Sequence, residues 1–173
     1  MRILSTIIIV LITTVAIAKN LDEANGMAYS QDVRNALFTV NIDPNESHCL
    51  AQNIYFEAGN QSLEGMAAVA DVTINRKDNA SYPNTICEVV YQPKQFSWTH
   101  LIKDHTPMEK KAWKKARVIA RDVMIGNVDD PTHGAVFYHA NYVNPDWASF
   151  MDLSKVIGNH LFYTWDGDWN AAN

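Results

Sequence analysis

The sequence predicts an α+β fold, mainly helical with a small antiparallel β-sheet. Three stretches between residues 43 and 126 open on helix-capping chemistry and then place apolar residues at helical spacing. Two short aromatic-rich runs follow, Ala135–His139 and Phe162–Trp165, and these suit paired strands. At 173 residues, 47% apolar and 19% charged, the chain fits one domain and excludes a disordered tail or a membrane bundle.

Residues 1–18 read as a signal peptide. Met1-Arg2 is a short basic start, Ile3–Ile17 is almost unbroken apolar sequence, and Ala16-Ile17-Ala18 gives the small-x-small pattern of a cleavage site. The run is shorter than the roughly 20 residues of a spanning helix. An uncleaved N-terminal anchor is the alternative, and only then is a membrane contact expected. Cleavage removes Arg2 and no acid, taking the net charge from −5 to −6. Such an acidic chain is a poor nucleic-acid partner. A secreted or periplasmic monomer is expected, with residues 19–42 as a lead-in arm, 43–165 as the domain and 166–173 as a tail.

The first helix has Asp43 as its cap, Pro44 in its first turn and Glu46 three after the cap; it runs to about Ala58 and stops at Gly59-Asn60. Ser62 caps the second, Leu63 to about Arg76. Its inner face is Met66, Ala70, Thr73 and Ile74, and its outer face is Glu64, Ala68, Asp71 and Asn75. Loop is expected from Lys77 to His105, with a helical turn near Thr85–Tyr91. Thr106-Pro107-Met108-Glu109 reads as another capping box. The helix after it carries Ala112, Trp113, Ala116, Ile119, Ala120 and Val123 on one stripe, and Gly126 ends it. Lys110, Lys114, Arg117 and Arg121 lie opposite Trp113 and Ala116, as a solvated face or a docking face for an anionic envelope polymer.

One carboxylate is out of place. Leu50, Ile54 and Ala58 define the buried stripe of the first helix, and Glu57, three after Ile54, projects from that stripe. Lost solvation there raises a carboxyl pKa, as a general acid needs. Alternatively Glu57 reaches from the helix end back to water. Glu64 suits the helix dipole, Asp71 is expected in solvent, and Glu88 and Asp146 fall in loops.

Gln95, Ser97, Trp98, Tyr138, His139, Asn141 and Trp147 lie in segments that mix aromatic faces with amides and hydroxyls, as sugar-binding grooves do. The six histidines form no HExxH and no close ligand cluster, so no metal and no cofactor is expected. Cys49 and Cys87, in a chain bound for an oxidising compartment, are expected to pair. The competing reading makes Cys49 a nucleophile with His139 as base and Asn141 orienting it, a cell-wall peptidase.

The run Cys49-Leu50-Ala51-Gln52-Asn53-Ile54-Tyr55-Phe56-Glu57-Ala58, then Glu64-Gly65, Ala67-Ala68-Val69-Ala70 and Asn75-Arg76, resembles the cell wall hydrolase family, known best from bacterial spore-cortex-lytic enzymes. Tyr82-Pro83-Asn84-Thr85-Ile86-Cys87, Gln95-Phe96-Ser97, Phe137-Tyr138-His139-Ala140, Pro145-Asp146-Trp147 and Ile157-Gly158-Asn159-His160 continue the likeness in order. The resemblance implies a lysozyme-like domain that cleaves peptidoglycan glycan strands with one catalytic glutamate, which maps onto Glu57. Many relatives read Glu-Ala-Arg-Gly-Glu where this chain has Glu57-Ala58-Gly59-Asn60-Gln61, so a charged partner at Gln61 is missing. With no second carboxylate evident, the sugar's own 6-hydroxyl is the expected attacker and a lytic transglycosylase the expected enzyme, with an N-acetylmuramidase as the alternative type, acting in cell-wall remodelling or lysis. A non-catalytic wall-binding module, with Trp98 and Trp147 as sugar platforms, is the further alternative.

Overall fold

The computed structural model describes residues 41–165. The expected signal segment, nearly all of the lead-in arm and the tail lie outside the described residues. Elements follow in the order α1 (Pro44–Ala58), α2 (Leu63–Asp78), α3 (Ile86–Tyr91), α4 (Trp98–Leu101), α5 (Lys110–Met124), β1 (Phe137–Ala140), a 3-10 turn (Asp146–Phe150), β2 (Asp152–Ile157) and β3 (His160–Thr164). Among the described residues no helix is long and apolar enough to cross a membrane.

Local chemistry sets the first two helices. The Asp43 carboxylate accepts from Asn45 N–H and the Ser62 hydroxyl from Gly65 N–H, so each cap satisfies an otherwise orphaned donor. Two neighbouring cores then form. One joins Leu50, Ile54 and Ala58 of α1 with Met66 and Ala70 of α2, Val90 of α3 and Ala116 and Ala120 of α5. The second lays Ala135, Ile157 and Phe162 of the sheet region on Ala68 and Val72 of α2. Helix α2 is therefore covered on two sides.

That second cover corrects the expected outer face of α2. Ala68 is fully buried and Asp71 is only 6% exposed, because the sheet packs where solvent was expected. The sheet is antiparallel in the order β1-β3-β2, with β3 central and a register shift between Leu153 and Lys155. Gly158, in the left-handed region at φ +56, starts the two-residue turn that joins β2 to β3.

Helix α5 begins later than its sequence suggests. Thr106 N–H is held by the Asp104 carboxylate, which makes a local turn, and Glu109 caps the helix through Lys111 N–H. The Thr106 box therefore does not cap α5. A disulfide joins Cys49 of α1 to Cys87 of α3, with Cα atoms 5.2 Å apart.

Candidate active site

A groove of about 570 Å³ opens between the C-terminal end of α1 and the hairpin turn of the sheet. Its lining includes Tyr55, Phe56, Glu57, Gln61, Glu109, Tyr142, Asn159 and His160. Glu57 is the half-buried acid at its base. The Tyr138 hydroxyl, itself enclosed, donates to Glu57 Oε2 at 3.0 Å. No described residue donates to Oε1.

Burial raises the Glu57 carboxyl above the ordinary carboxylate value, against smaller lowering effects from the Tyr138 hydrogen bond and from Arg76. Arg76 is buried at the far side of this network. Its Nε donates to Val136 O at 2.7 Å, and its guanidinium sits 5.3–5.7 Å from the ring centres of Tyr82, Phe96 and Phe137. Burial works against the Arg76 charge, and Tyr82, Tyr138 and Glu57 support it. Tyr138 is pushed well above its usual value by the same enclosure, so it acts as a donor and not as a phenolate.

His160 lines the groove beside Tyr138, with ring centres 5.2 Å apart. Burial, and then the neighbouring His139, lower its pKa, and its Nδ1 has no hydrogen-bond partner among the described residues. Gln61 ties the rim together: Nε2 donates to Asn60 Oδ1 and Oε1 accepts from Asn159 N–H at 3.4 Å. An added Cβ on Gly158 would sit 2.6 Å from that same Gln61 oxygen, so the turn and the rim approach closely.

The residues singled out from sequence do not all converge here. Tyr138 meets Glu57. Asn141 is exposed beside the groove, its N–H donating to Asn159 O at 2.8 Å. His139 points to the other face of β1, where its Nε2 is 2.9 Å from the Tyr163 hydroxyl and its ring abuts Trp147. Trp147 belongs to that same outer cluster, with Phe137 and Tyr163. Gln95 lines a separate cavity of about 210 Å³ with Tyr82 and Gln92, and Ser97 is exposed at the start of α4.

Trp98 is a correction. It is 4% exposed, donates Nε1–H to Asn53 Oδ1 at 3.1 Å and stacks on Phe56 at 4.6 Å. It braces the helix behind Glu57 and offers no face to a sugar. The cysteine-nucleophile alternative also falls, because both cysteines are in the disulfide.

Sequence reasoning missed Arg76, His160 and Glu109. Arg76 enters the sequence reading only as the end of the second helix and as part of the family-like Asn75-Arg76 pair, with no role attached. Glu109 is the other carboxylate on the groove, with its side chain engaged by Lys111 N–H. Glu64 and Glu88 lie outside the groove, as does Asp146. No group of three or more His, Cys, Asp or Glu converges on a metal-sized point among the described residues.

Residues 60–163 match the model of the cell wall hydrolase family. The chain belongs to the cell wall hydrolase family. It is 27% identical over 142 residues to the spore cortex-lytic enzyme of Bacillus subtilis (strain 168), covering 78% of this chain and 43% of that protein. The spore cortex-lytic enzyme of Oceanobacillus iheyensis is 28% identical over 125 residues, 68% of this chain and 41% of that protein. This chain thus spans about two-fifths of the length of those relatives. Among solved structures, the catalytic domain of the germination-specific lytic transglycosylase SleB from Bacillus anthracis superposes with a TM-score of 0.60 at 27% identity, over 73% of this chain and all of that one. The SleB catalytic domain from Bacillus cereus gives 0.59 at 26%, over 73% and 94%. The cell wall hydrolase fold is therefore the lysozyme-like α+β fold that the sequence leads one to expect.

Proposed function

We propose that this cell wall hydrolase cleaves the glycan strands of peptidoglycan as a lytic transglycosylase, with Glu57 as its single general acid. The observation that carries the reading is a carboxyl raised by burial, held by Tyr138 at one oxygen and belonging to a residue that lines a groove. Likeness to a protein described as a lytic transglycosylase supports the reaction type.

Glu57 gives its proton to the glycosidic oxygen as the bond from the muramic anomeric carbon breaks. The resulting carboxylate then accepts the proton of the same sugar's 6-hydroxyl, whose oxygen closes on the anomeric carbon. No water is consumed, and the product carries a 1,6-anhydromuramic end. Tethering of the 6-hydroxyl provides the effective concentration that a second side chain would otherwise supply. Glu109 is the residue to watch, because a hydrolase needs a second carboxylate about 5–5.5 Å or 6.5–9.5 Å from the acid. Its capping bond to Lys111 N–H occupies it instead.

The site of action would be the cell envelope, reached by export through residues 1–18, with the enzyme working as a monomer. Digestion of purified peptidoglycan followed by mass spectrometry tests the reading. Muropeptides lighter by one water than hydrolysis products are expected. Reducing ends alone would make the enzyme a hydrolysing muramidase or glucosaminidase and turn attention to Glu109. No cleavage at all would leave a wall-binding module.

A further inference from the structure

A second groove, of about 750 Å³, lies between α1 and α5, lined along one side by Lys110, Lys114, Arg117 and Arg121 and floored by Trp113 beside His48. The four cations recur along one helix face over about 16 Å. Three of them, Lys110, Lys114 and Arg117, have no ion-pair partner among the described residues, while Arg121 pairs with Asp122. Nearby carboxylates are committed elsewhere: Asp43 caps α1, Glu46 accepts from Ile86 and Cys87 N–H, and Glu109 caps α5. The result is a concave cationic face, with an aromatic floor, on a chain of net charge −5.

This groove adjoins the Glu57 groove. Ala112 lines one and Trp113, the next residue of α5, lines the other. Tyr55 stands at the divide, lining the Glu57 groove while its ring packs edge-on against Trp113 at 6.1 Å. The side branches of a polymer lying in the Glu57 groove can therefore extend toward the cationic groove along α5. Peptidoglycan stems carry several carboxylates and a net negative charge, and they branch from the muramic sugar that the proposed reaction attacks. A groove suits such an extended chain better than a flat anionic surface does.

We propose that the α1/α5 groove is a stem-peptide subsite: it binds the anionic stems of the strand being cleaved and makes the enzyme prefer peptide-bearing glycan to bare glycan. This rests on the glycan-cleavage reading above.

The test uses soluble peptidoglycan strands with stems intact and the same strands stripped by an amidase, with wild type and a Lys114→Glu, Arg117→Glu double variant whose melting temperature is checked first. The expected result is a KM for peptide-bearing strands raised about tenfold in the variant, with kcat and the values for stripped strands unchanged. The wild-type preference for peptide-bearing strands should also shrink as salt is added. Equal kinetics for both proteins, or an equal loss on both substrates, would overturn the subsite while leaving glycan cleavage intact. Calorimetric titration of the full chain with free stem tetrapeptide reads the subsite without catalysis. If neither substrate is cleaved, the glycan-cleavage reading fails and this titration alone judges the groove. Binding of the tetrapeptide that the double variant loses supports it. No binding, or binding of poly(glycerol phosphate) in place of the tetrapeptide, overturns it.

Discussion

At the scale of single residues, the proposed chemistry rests on the contrast between the two oxygens of Glu57. Oε2 accepts from the Tyr138 hydroxyl, while Oε1 accepts from no described residue. Glu57→Gln keeps size and polarity but has no proton to give, and the cost should be about 10²–10⁴ in rate. A folded variant that clears cell walls at more than about a tenth of the wild-type rate would remove Glu57 from the mechanism. Tyr138→Phe tests the neighbour. The lost hydrogen bond had favoured the carboxylate form, so the Glu57 pKa rises further and Glu57 stays protonated to higher pH. The alkaline limb of the rate profile should move upward, and an unmoved or lowered limb would mean that Tyr138 does not set the acid. The half-buried position of Glu57 was legible because helix phase is local: three residues after Ile54 falls toward the packed side of the helix. Arg76 and His160 were not: Arg76 is closed over by Val136, sixty residues along the chain, and His160 is covered by packing against Tyr138 of a neighbouring strand, and nothing local marks either contact.

At the scale of elements, the same distinction separates what was legible from what was not. Helices α1 and α2 begin where Asp43 and Ser62 say they should, because a cap is settled within a few residues. The start of α5 was displaced by an equally local competitor, Asp104, that holds Thr106 in a turn. Strand β2 gave no pattern to find: of its six residues only Ile157 is buried, as befits the edge strand of a small sheet. Trp98 misled because an aromatic among polar residues looks alike in a groove and in a core. The link between α1 and α3 is covalent, and its effect can be measured. Closing a loop across a separation of 38 residues contributes roughly 3–4 kcal/mol by restricting the unfolded chain. A Cys49→Ser, Cys87→Ser double variant should therefore melt well below wild type, with residual activity falling as α1 loosens. Matching melting curves would show that packing in the helical core carries α1 without the bond.

At the scale of the whole molecule, the buried acids set how stability depends on pH. Asp71, trapped between α2 and the sheet, has an Oδ2 with no partner among the described residues and is pushed to about 7, chiefly by burial and further by Asp130. Glu57 is raised as well. Between their ordinary values near 4 and their raised ones, the folded protein holds protons that the unfolded chain releases. Stability then falls as pH rises through that window. His160 acts in the opposite sense: its lowered pKa means that the unfolded chain binds the extra proton, so its contribution grows as pH rises toward its ordinary 6.5. Asp130, held below its ordinary value by Thr132, Asn75 and Gly134, matters only on acidification below about pH 4. Two groups against one give a melting temperature highest in mild acid and declining toward neutrality. Asp71→Asn isolates the largest contributor, since an amide of the same shape has no proton to lose. Thermal melts of wild type and Asp71→Asn across pH 4.5–8 should diverge steadily up to about pH 7 and then run parallel, with the variant the more stable at neutral pH. Curves that stay parallel throughout would mean that Asp71 ionises in the folded protein as easily as in water, and that the sheet does not seal that side of α2.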